Sequence, residues 1–221
     1  MITDSLFSMD GDCAPLPELA ALCRDEQASL LIDEAHALGT CGLRGGGLAE
    51  EHQLQSRIDV RIGTLSKAIG TLGGFVVGSK DLIDWTWNRA RPHIFSTALP
   101  PAICAAASKA IEILQAEPQR RQKLDALAEQ LRTGLKRLGL KISSAERGPI
   151  VPVILETPQR AVGMAAQLAE RGFLVGAIRP PSVPPGTSRL RITLSAAFDS
   201  ADVEQLLAAL ADLLPASSAL Q

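Results

Sequence analysis

The chain has 221 residues, with 22 Lys plus Arg against 24 Asp plus Glu, a formal net charge of -2 and a hydrophobic fraction of 46%. Domains run to roughly 100 to 200 residues, so this length holds one large domain or two small ones with enough chain to bury a core. The mixed charge contains no block of Lys and Arg, which argues against a nucleic-acid or membrane-surface partner, and every apolar run is broken before the ~20 residues that a membrane-spanning helix needs.

Met1 to Asp12 lacks the basic start and apolar stretch of a secretory signal, so the cytoplasm is the expected compartment. Cys13, Cys23, Cys41 and Cys104 form no CxxC pair and no ligand spacing with His36, His52 or His93, so reduced packing cysteines and no metal are expected. With no Tyr and only 3% aromatic residues, the core must come from Ala, Leu, Ile and Val.

In chain order, Pro15 to Gln27 carries Leu16, Leu19, Ala20 and Leu22 at helical spacing, and Ser29 to Ile32 is a short apolar run ending in Asp33, as in a buried parallel strand. Asp59 to Thr64 and Gly74 to Val77 repeat the strand pattern, with Gly42, Gly45, Gly46 and Gly47 marking an irregular loop before them. Pro101 to Glu117 reads as an Ala-rich helix. Pro118 opens a second one, with Leu124, Leu127, Leu131, Leu135 and Leu138 on one face and Gly139 at its end. Ile150 to Leu155, Phe173 to Ile178 and Leu190 to Leu194 read as strands, and Pro158 to Arg171 as a helix stopped by Gly172. Ser200 to Leu214 is expected as a last helix, with Asp199 or Ser200 as N-cap, before a fraying tail at 216–221. The pattern is α/β followed by a small α+β domain, divided into 1–117 and 118–221. It contains no internal repeat.

Three groups carry chemistry. The first is Leu30-Leu31-Ile32-Asp33-Glu34-Ala35-His36, a buried strand that delivers a carboxylate and, three residues on, an imidazole. A helicase would use the acidic pair to hold magnesium, but that needs a GxxxxGK[ST] phosphate loop, which is absent. The plain alternative is a capping or salt-bridging Asp and a satisfied surface His.

The second group is Gly63-Thr64-Leu65-Ser66-Lys67-Ala68-Ile69-Gly70, then Gly73-Gly74: a strand ending in a small-residue turn with one Lys, where an amine can reach a bound aldehyde and glycines admit a flat ligand. Taken alone, Lys67 reads first as a surface lysine after a strand. The Thr64-x-x-Lys67 spacing of acyl-transfer enzymes lacks its SDN and KTG companions.

The third group is Ala177-Ile178-Arg179-Pro180-Pro181 with Arg189-Leu190-Arg191-Ile192-Thr193-Leu194. Arg191 alternates with Leu190 and Ile192, so it faces away from them and could clamp a carboxylate; the alternative is a solvated arginine on an edge strand.

Together with Ser8-Met9-Asp10-Gly11-Asp12 and Phe95-Ser96-Thr97-Ala98-Leu99-Pro100-Pro101, these groups resemble the α-oxoamine synthases over essentially the whole chain. That family consists of pyridoxal-phosphate (PLP) enzymes of the aspartate aminotransferase-like fold type I. The resemblance implies the C-terminal part of a large mixed-sheet domain followed by a small α+β domain. It implies that Lys67 bonds the cofactor aldehyde and then removes the amino acid's α-proton, that Asp33 pairs with the protonated pyridine nitrogen, and that His36 and Ser8 hydrogen-bond the phenolic oxygen. Thr64 would bind the cofactor phosphate, and Ser96 or Thr97 would reach the neighbouring subunit's phosphate in a homodimer. Arg191 would hold the amino-acid carboxylate, with Arg179 assisting there or at the acyl thioester.

Within the family, the Arg before the prolines favours condensation of L-alanine with a pimeloyl thioester, on coenzyme A or a carrier protein, with loss of carbon dioxide. 5-Aminolevulinate synthase and glycine C-acetyltransferase lack that Arg, whereas serine palmitoyltransferase-like enzymes can keep it. The resemblance also implies that an N-terminal arm and roughly half of the large domain are missing, with a glycine-rich phosphate turn and a His that stacks on the ring among them. A truncated or split member, with an exposed sheet edge, apolar faces and dependence on a partner, is the expectation. Phe198 stands where the family often has His.

Overall fold

The computed structural model describes residues 1–142 and 148–214. It divides into two compact units, Met1–Phe7 with Cys13–Arg121, and Ser8–Asp12 with Gln122–Gln221.

The first unit is built on a four-stranded sheet. Strand β1 (Ile2–Asp4) is followed by helix α1 (Leu16–Asp25), strand β2 (Leu31–Asp33), the single turn α2 (Leu48–Glu51), strand β3 (Val60–Thr64) and strand β4 (Gly74–Gly78). Helices α3 (Lys80–Arg89), α4 (Arg91–Ile94) and α5 (Pro101–Ala116) complete it. The order is β1-β2-β3-β4, parallel for the first three strands and antiparallel for the last. Leu30 and Ile32 are fully buried, and α1 turns Leu16, Ala20 and Cys23 into the same core at helical spacing. All four cysteines are without disulfides.

The second unit takes most of α6 (Gln119–Arg137), then β5 (Ile150–Glu156), α7 (Pro158–Glu170), β6 (Gly176–Ile178), β7 (Ser188–Thr193) and α8 (Ser200–Leu213). Its antiparallel sheet has the order β5-β7-β6. Leu124, Leu127, Leu131 and Leu135 of α6 pack with Val151, Val153, Leu190, Ile192, Val203, Leu206 and Leu210 into one core. Polar residues set the helix starts. Thr157 accepts a hydrogen bond from Arg160 N at 3.3 Å, and Asp199 and Asp202 form a capping box on α8. The tail at 216–221 lies outside the described residues.

Three differences from expectation have physical reasons. The strand expected from Phe173 is only Gly176–Ile178, because Phe173 N donates back to Leu168 O at 2.9 Å and so closes α7, while Leu174 is 98% exposed. Arg191 stands on the central strand of its sheet, not on an edge. Finally, β1 and α3 give no apolar pattern. Thr3 and Asp4 make up most of β1, and α3 buries no residue.

Candidate active site

The parallel strands β1, β2 and β3 end on one side of the first unit's sheet, at Asp4, Asp33 and Thr64, with Asp4 in register with Asp33 and Asp33 with Ile62. In open α/β sheets, ligands bind beyond these carboxyl ends.

The two acids of the DEAH segment have separate tasks. Glu34 is buried, and its carboxylate accepts from Ser5 Oγ (2.8 Å), Leu48 N (3.0 Å) and Ala49 N (2.8 Å), so it caps the start of α2 and anchors the loop before it. Gly47 there has φ +90°, and a side chain would run into the Glu34 carboxylate. Asp33 is half-buried and uses Oδ1 for a local turn with Ala35 N at 2.7 Å, and among the described residues no hydrogen bond engages its other oxygen. His36 follows in the half-buried turn.

Asp4 stands at the same edge, and the motifs did not mark it, since a three-residue strand gives no periodic signal. Burial first, and the Asp33 charge second, push its carboxyl above the usual carboxylate range, while Lys67 opposes the shift. Lys67 itself is exposed, and among the described residues no hydrogen bond or ion pair holds its amine. Its turn is closed by Gly70 N to Lys67 O (2.9 Å) and by Thr71 N to Leu65 O (2.8 Å). Thr64 Oγ1 lies 2.8 Å from Ser66 Oγ and donates to Gly73 O at 3.2 Å. An uncommitted amine, a carboxylate with a spare oxygen and paired hydroxyls on one edge form a donor set that fits one flank of a phosphorylated aldehyde with a protonated ring.

Ser96 and Thr97 are exposed, Ser96 Oγ donating to His93 O at 3.1 Å. A cavity of about 280 Å³ lined by Arg61, Leu65, Ile69, Phe75 and Leu114 among others is bordered by none of the predicted residues. Among the described residues, no group of three or more His, Cys, Asp or Glu is placed to hold a metal ion.

The remaining predicted residues belong to the second unit. Arg191 donates from Nε to Ser8 O at 2.6 Å, and burial pulls its pKa below the usual arginine value. Leu190 and Ile192 are buried on the other side of the strand. Arg179, beyond β6, is exposed, with its carbonyl accepting from Ser182 N at 3.1 Å.

The architecture, with a lysine turn after one parallel strand and an aspartate ending its neighbour, is an α/β fold of type I, aspartate aminotransferase-like. A family model described as aminotransferase class I and II matches residues 1–210, and the chain belongs to that family.

Its curated relatives include an 8-amino-7-oxononanoate synthase of Anaeromyxobacter dehalogenans, 54% identical over 215 residues that make up 97% of this chain and 54% of the relative. One from Methylococcus capsulatus is 46% identical over 216 residues, 97% of this chain and 56% of the relative. The chain thus spans about half the length of the curated relatives it matches. Among solved structures, a serine palmitoyltransferase from S. paucimobilis with a bound PLP–myriocin aldimine superimposes with a TM-score of 0.91 at 34% identity, over 96% of this chain and 53% of that one. An 8-amino-7-oxononanoate synthase from Francisella tularensis, 24% identical, shares the fold with a TM-score of 0.85 over 96% of this chain and 62% of its own. The resemblance to the α-oxoamine synthases read from the motifs therefore stands. Among the described residues, no helix is long and apolar enough to cross a membrane.

Proposed function

We propose that this chain carries the lysine, aspartate and arginine side chains of a pyridoxal-phosphate-dependent acyltransferase. It condenses L-alanine with a pimeloyl thioester, on coenzyme A or acyl carrier protein, to 8-amino-7-oxononanoate and carbon dioxide, a cytoplasmic step of biotin biosynthesis. The observation that carries the reading is the edge formed by the ends of β1 to β3, where Asp33, with a spare oxygen, ends β2, and the turn after β3 carries an amine without a partner among the described residues. The names of relatives at 45 to 54% identity support the choice of substrates.

Bound pyridoxal phosphate would supply a ring that draws electrons from the bonds around the amino acid's α-carbon. Asp33 keeps the pyridine nitrogen protonated through ion pairing. Lys67 would hold the cofactor and would take the amino acid's α-proton on Nζ. His36 and the Ser8 hydroxyl hydrogen-bond the phenolic oxygen, and Thr64 binds the phosphate. In a homodimer, Ser96 or Thr97 reaches the phosphate of the other subunit. Arg191 holds the alanine carboxylate, and Arg179 assists there or at the thioester. In this reading 1–117 belong to the large domain and 118–221 form the small one.

The test is a visible-absorbance titration of the purified chain with pyridoxal phosphate, alongside Lys67→Ala, followed by borohydride reduction. A band that borohydride fixes in the unaltered chain and that Lys67→Ala lacks is expected. The same band in both proteins, or none, defeats the assignment of Lys67 in this chain alone. Alanine-dependent carbon dioxide release is then measured for the chain mixed with the remaining portion of a full-length relative. Silence there favours a non-catalytic dimerisation module. Because serine palmitoyltransferases superimpose with TM-scores up to 0.92, serine with palmitoyl thioester is run beside alanine with pimeloyl thioester, and glycine with acetyl thioester completes the set.

A further inference from the structure

Arg189 and Arg191 are two residues apart on β7 and therefore share a face, opposite the buried Leu190 and Ile192. Both are bound to one short segment of the same unit. Arg191 Nε donates to the carbonyl of Ser8 at 2.6 Å, and Arg189 is ion-paired with the carboxylate of Asp10. The rest of the Arg189 fork is committed as well, with Nε to Thr187 O at 3.0 Å and a terminal nitrogen to Thr187 Oγ1 at 3.1 Å. In Arg191 only Nε is engaged among the described residues, so its two terminal nitrogens remain for a ligand.

We infer that the Asp10–Arg189 pair is a positioning device that holds Ser8–Asp12 against β7, so that the Ser8 carbonyl fixes the orientation of the Arg191 guanidinium.

Stability alone does not account for the pair. The Arg189 side chain is 4% exposed and that of Asp10 44%, so a guanidinium has been taken out of water for a partner still half in it. An apolar side chain of similar size often matches or exceeds such a pair in stability. What an apolar residue lacks is a bond to the 8–12 backbone. That segment has a further reason to be held: Asp12 Oδ1 is buried without a hydrogen-bond partner among the described residues, and Gly11 turns at φ 67°. Two anchors two residues apart on the segment, meeting two arginines two residues apart on the strand, fix both position and angle. With Nε tied, the Arg191 terminal nitrogens form a flat pair suited to a carboxylate. Burial of Arg191, which weakens its hold on its proton, also makes a free-swinging guanidinium costly there. The use of Arg191 for a substrate carboxylate rests on the function proposed above; its fixing by the pair does not.

The test reads the arginine Nε–H signals of the unliganded chain by ¹H–¹⁵N spectroscopy, with the Arg191 signal assigned by its loss in Arg191→Lys. A signal that exchanges slowly with water is expected. Asp10→Asn and Arg189→Met should remain folded by far-ultraviolet circular dichroism, yet speed exchange of the Arg191 Nε–H at least ten-fold, and Arg189→Lys should fall between. Slow exchange retained in folded Asp10→Asn overturns the inference, as does a fast Arg191 signal in the unaltered chain. Should Arg189→Met unfold, Asp10→Asn at the half-exposed partner still decides. In the active assembly the same variants raise KM for the amino acid about ten-fold and change kcat less, a split that general loss of folded protein does not produce. A missing Lys67 band with the exchange effect intact defeats the function alone; the reverse defeats the pair alone.

Discussion

Asp4 and Asp33 end neighbouring parallel strands in matched register, so two carboxylates stand side by side at one sheet edge. Burial first and the neighbouring Asp33 charge second disfavour the Asp4 anion there. A carboxyl whose folded pKa lies above its ordinary 3.8 stabilises the fold below that value and loses this contribution as pH rises through the folded pKa. Asp4→Asn should therefore raise the thermal midpoint at pH 7, with the gain shrinking as pH falls and vanishing at about pH 2.5, more than a unit below the ordinary value, where Asp4 is protonated in both folded and unfolded chains. Thermal melts at the two pH values check this. An equal gain at both would assign the effect to packing.

Gly39 supports the lysine turn from below. Its φ is +80°, and a Cβ there would lie 2.6 Å from the Cβ of Ala68, next to Lys67. Gly39→Ala should cost about 1–2 kcal/mol from backbone conformation alone, and the clash adds to it by pushing the Lys67 turn. Adding Ala68→Gly should recover the steric part and leave the backbone part. Urea denaturation of the single and double variants separates the two, and the Lys67-dependent absorbance should be weaker in Gly39→Ala than in the double variant.

Glu34 tests whether the second acid of the DEAH segment is structural. Glu34→Ala strands Ser5 Oγ, Leu48 N and Ala49 N in a buried site. With about 1–3 kcal/mol for each buried group left unsatisfied, a loss of roughly 3 kcal/mol or more in denaturant unfolding is expected. Glu34→Gln keeps an acceptor and should lose less. A Glu34→Ala loss below about 0.5 kcal/mol would match an ordinary surface change and refute the capping role.

What was legible in the sequence follows from burial. Strands β2 and β3 and helices α6, α7 and α8 announced themselves because packing on a core leaves an apolar run or a leucine stripe, and caps such as Asp199 mark where it begins. Lys67, Asp33 and Arg191 could be picked out because each ends or alternates with such a run. Helix α3 could not, since it buries nothing; Ser79 accepting from Leu82 N was its one signal. The pair Asp10–Arg189 joins residues 179 positions apart, a contact that no local pattern encodes. Adjacent acids in one motif give no sign of separate tasks, and only the fold shows that Glu34 turns inward to a helix start while Asp33 ends its strand.

Strand β4 carries an exposed run of apolar residues. Phe75, Val76 and Val77 are consecutive and 37%, 43% and 41% exposed, so neither side of this edge strand is covered, and Trp85, Trp87 and Phe95 on the following segments are 64%, 66% and 76% exposed. Unpaired edge groups flanked by exposed β-branched and aromatic side chains template association with other chains. A lysine on such an edge blocks that pairing without disturbing a core. Val76→Lys and Val77→Lys should each lower light scattering of the concentrated chain several-fold while shifting unfolding by about 0.5 kcal/mol or less, as for a solvent-exposed site. If Val76→Lys leaves scattering unchanged and Trp85→Lys with Trp87→Lys removes it, association runs through the helices after β4 instead of through the strand edge.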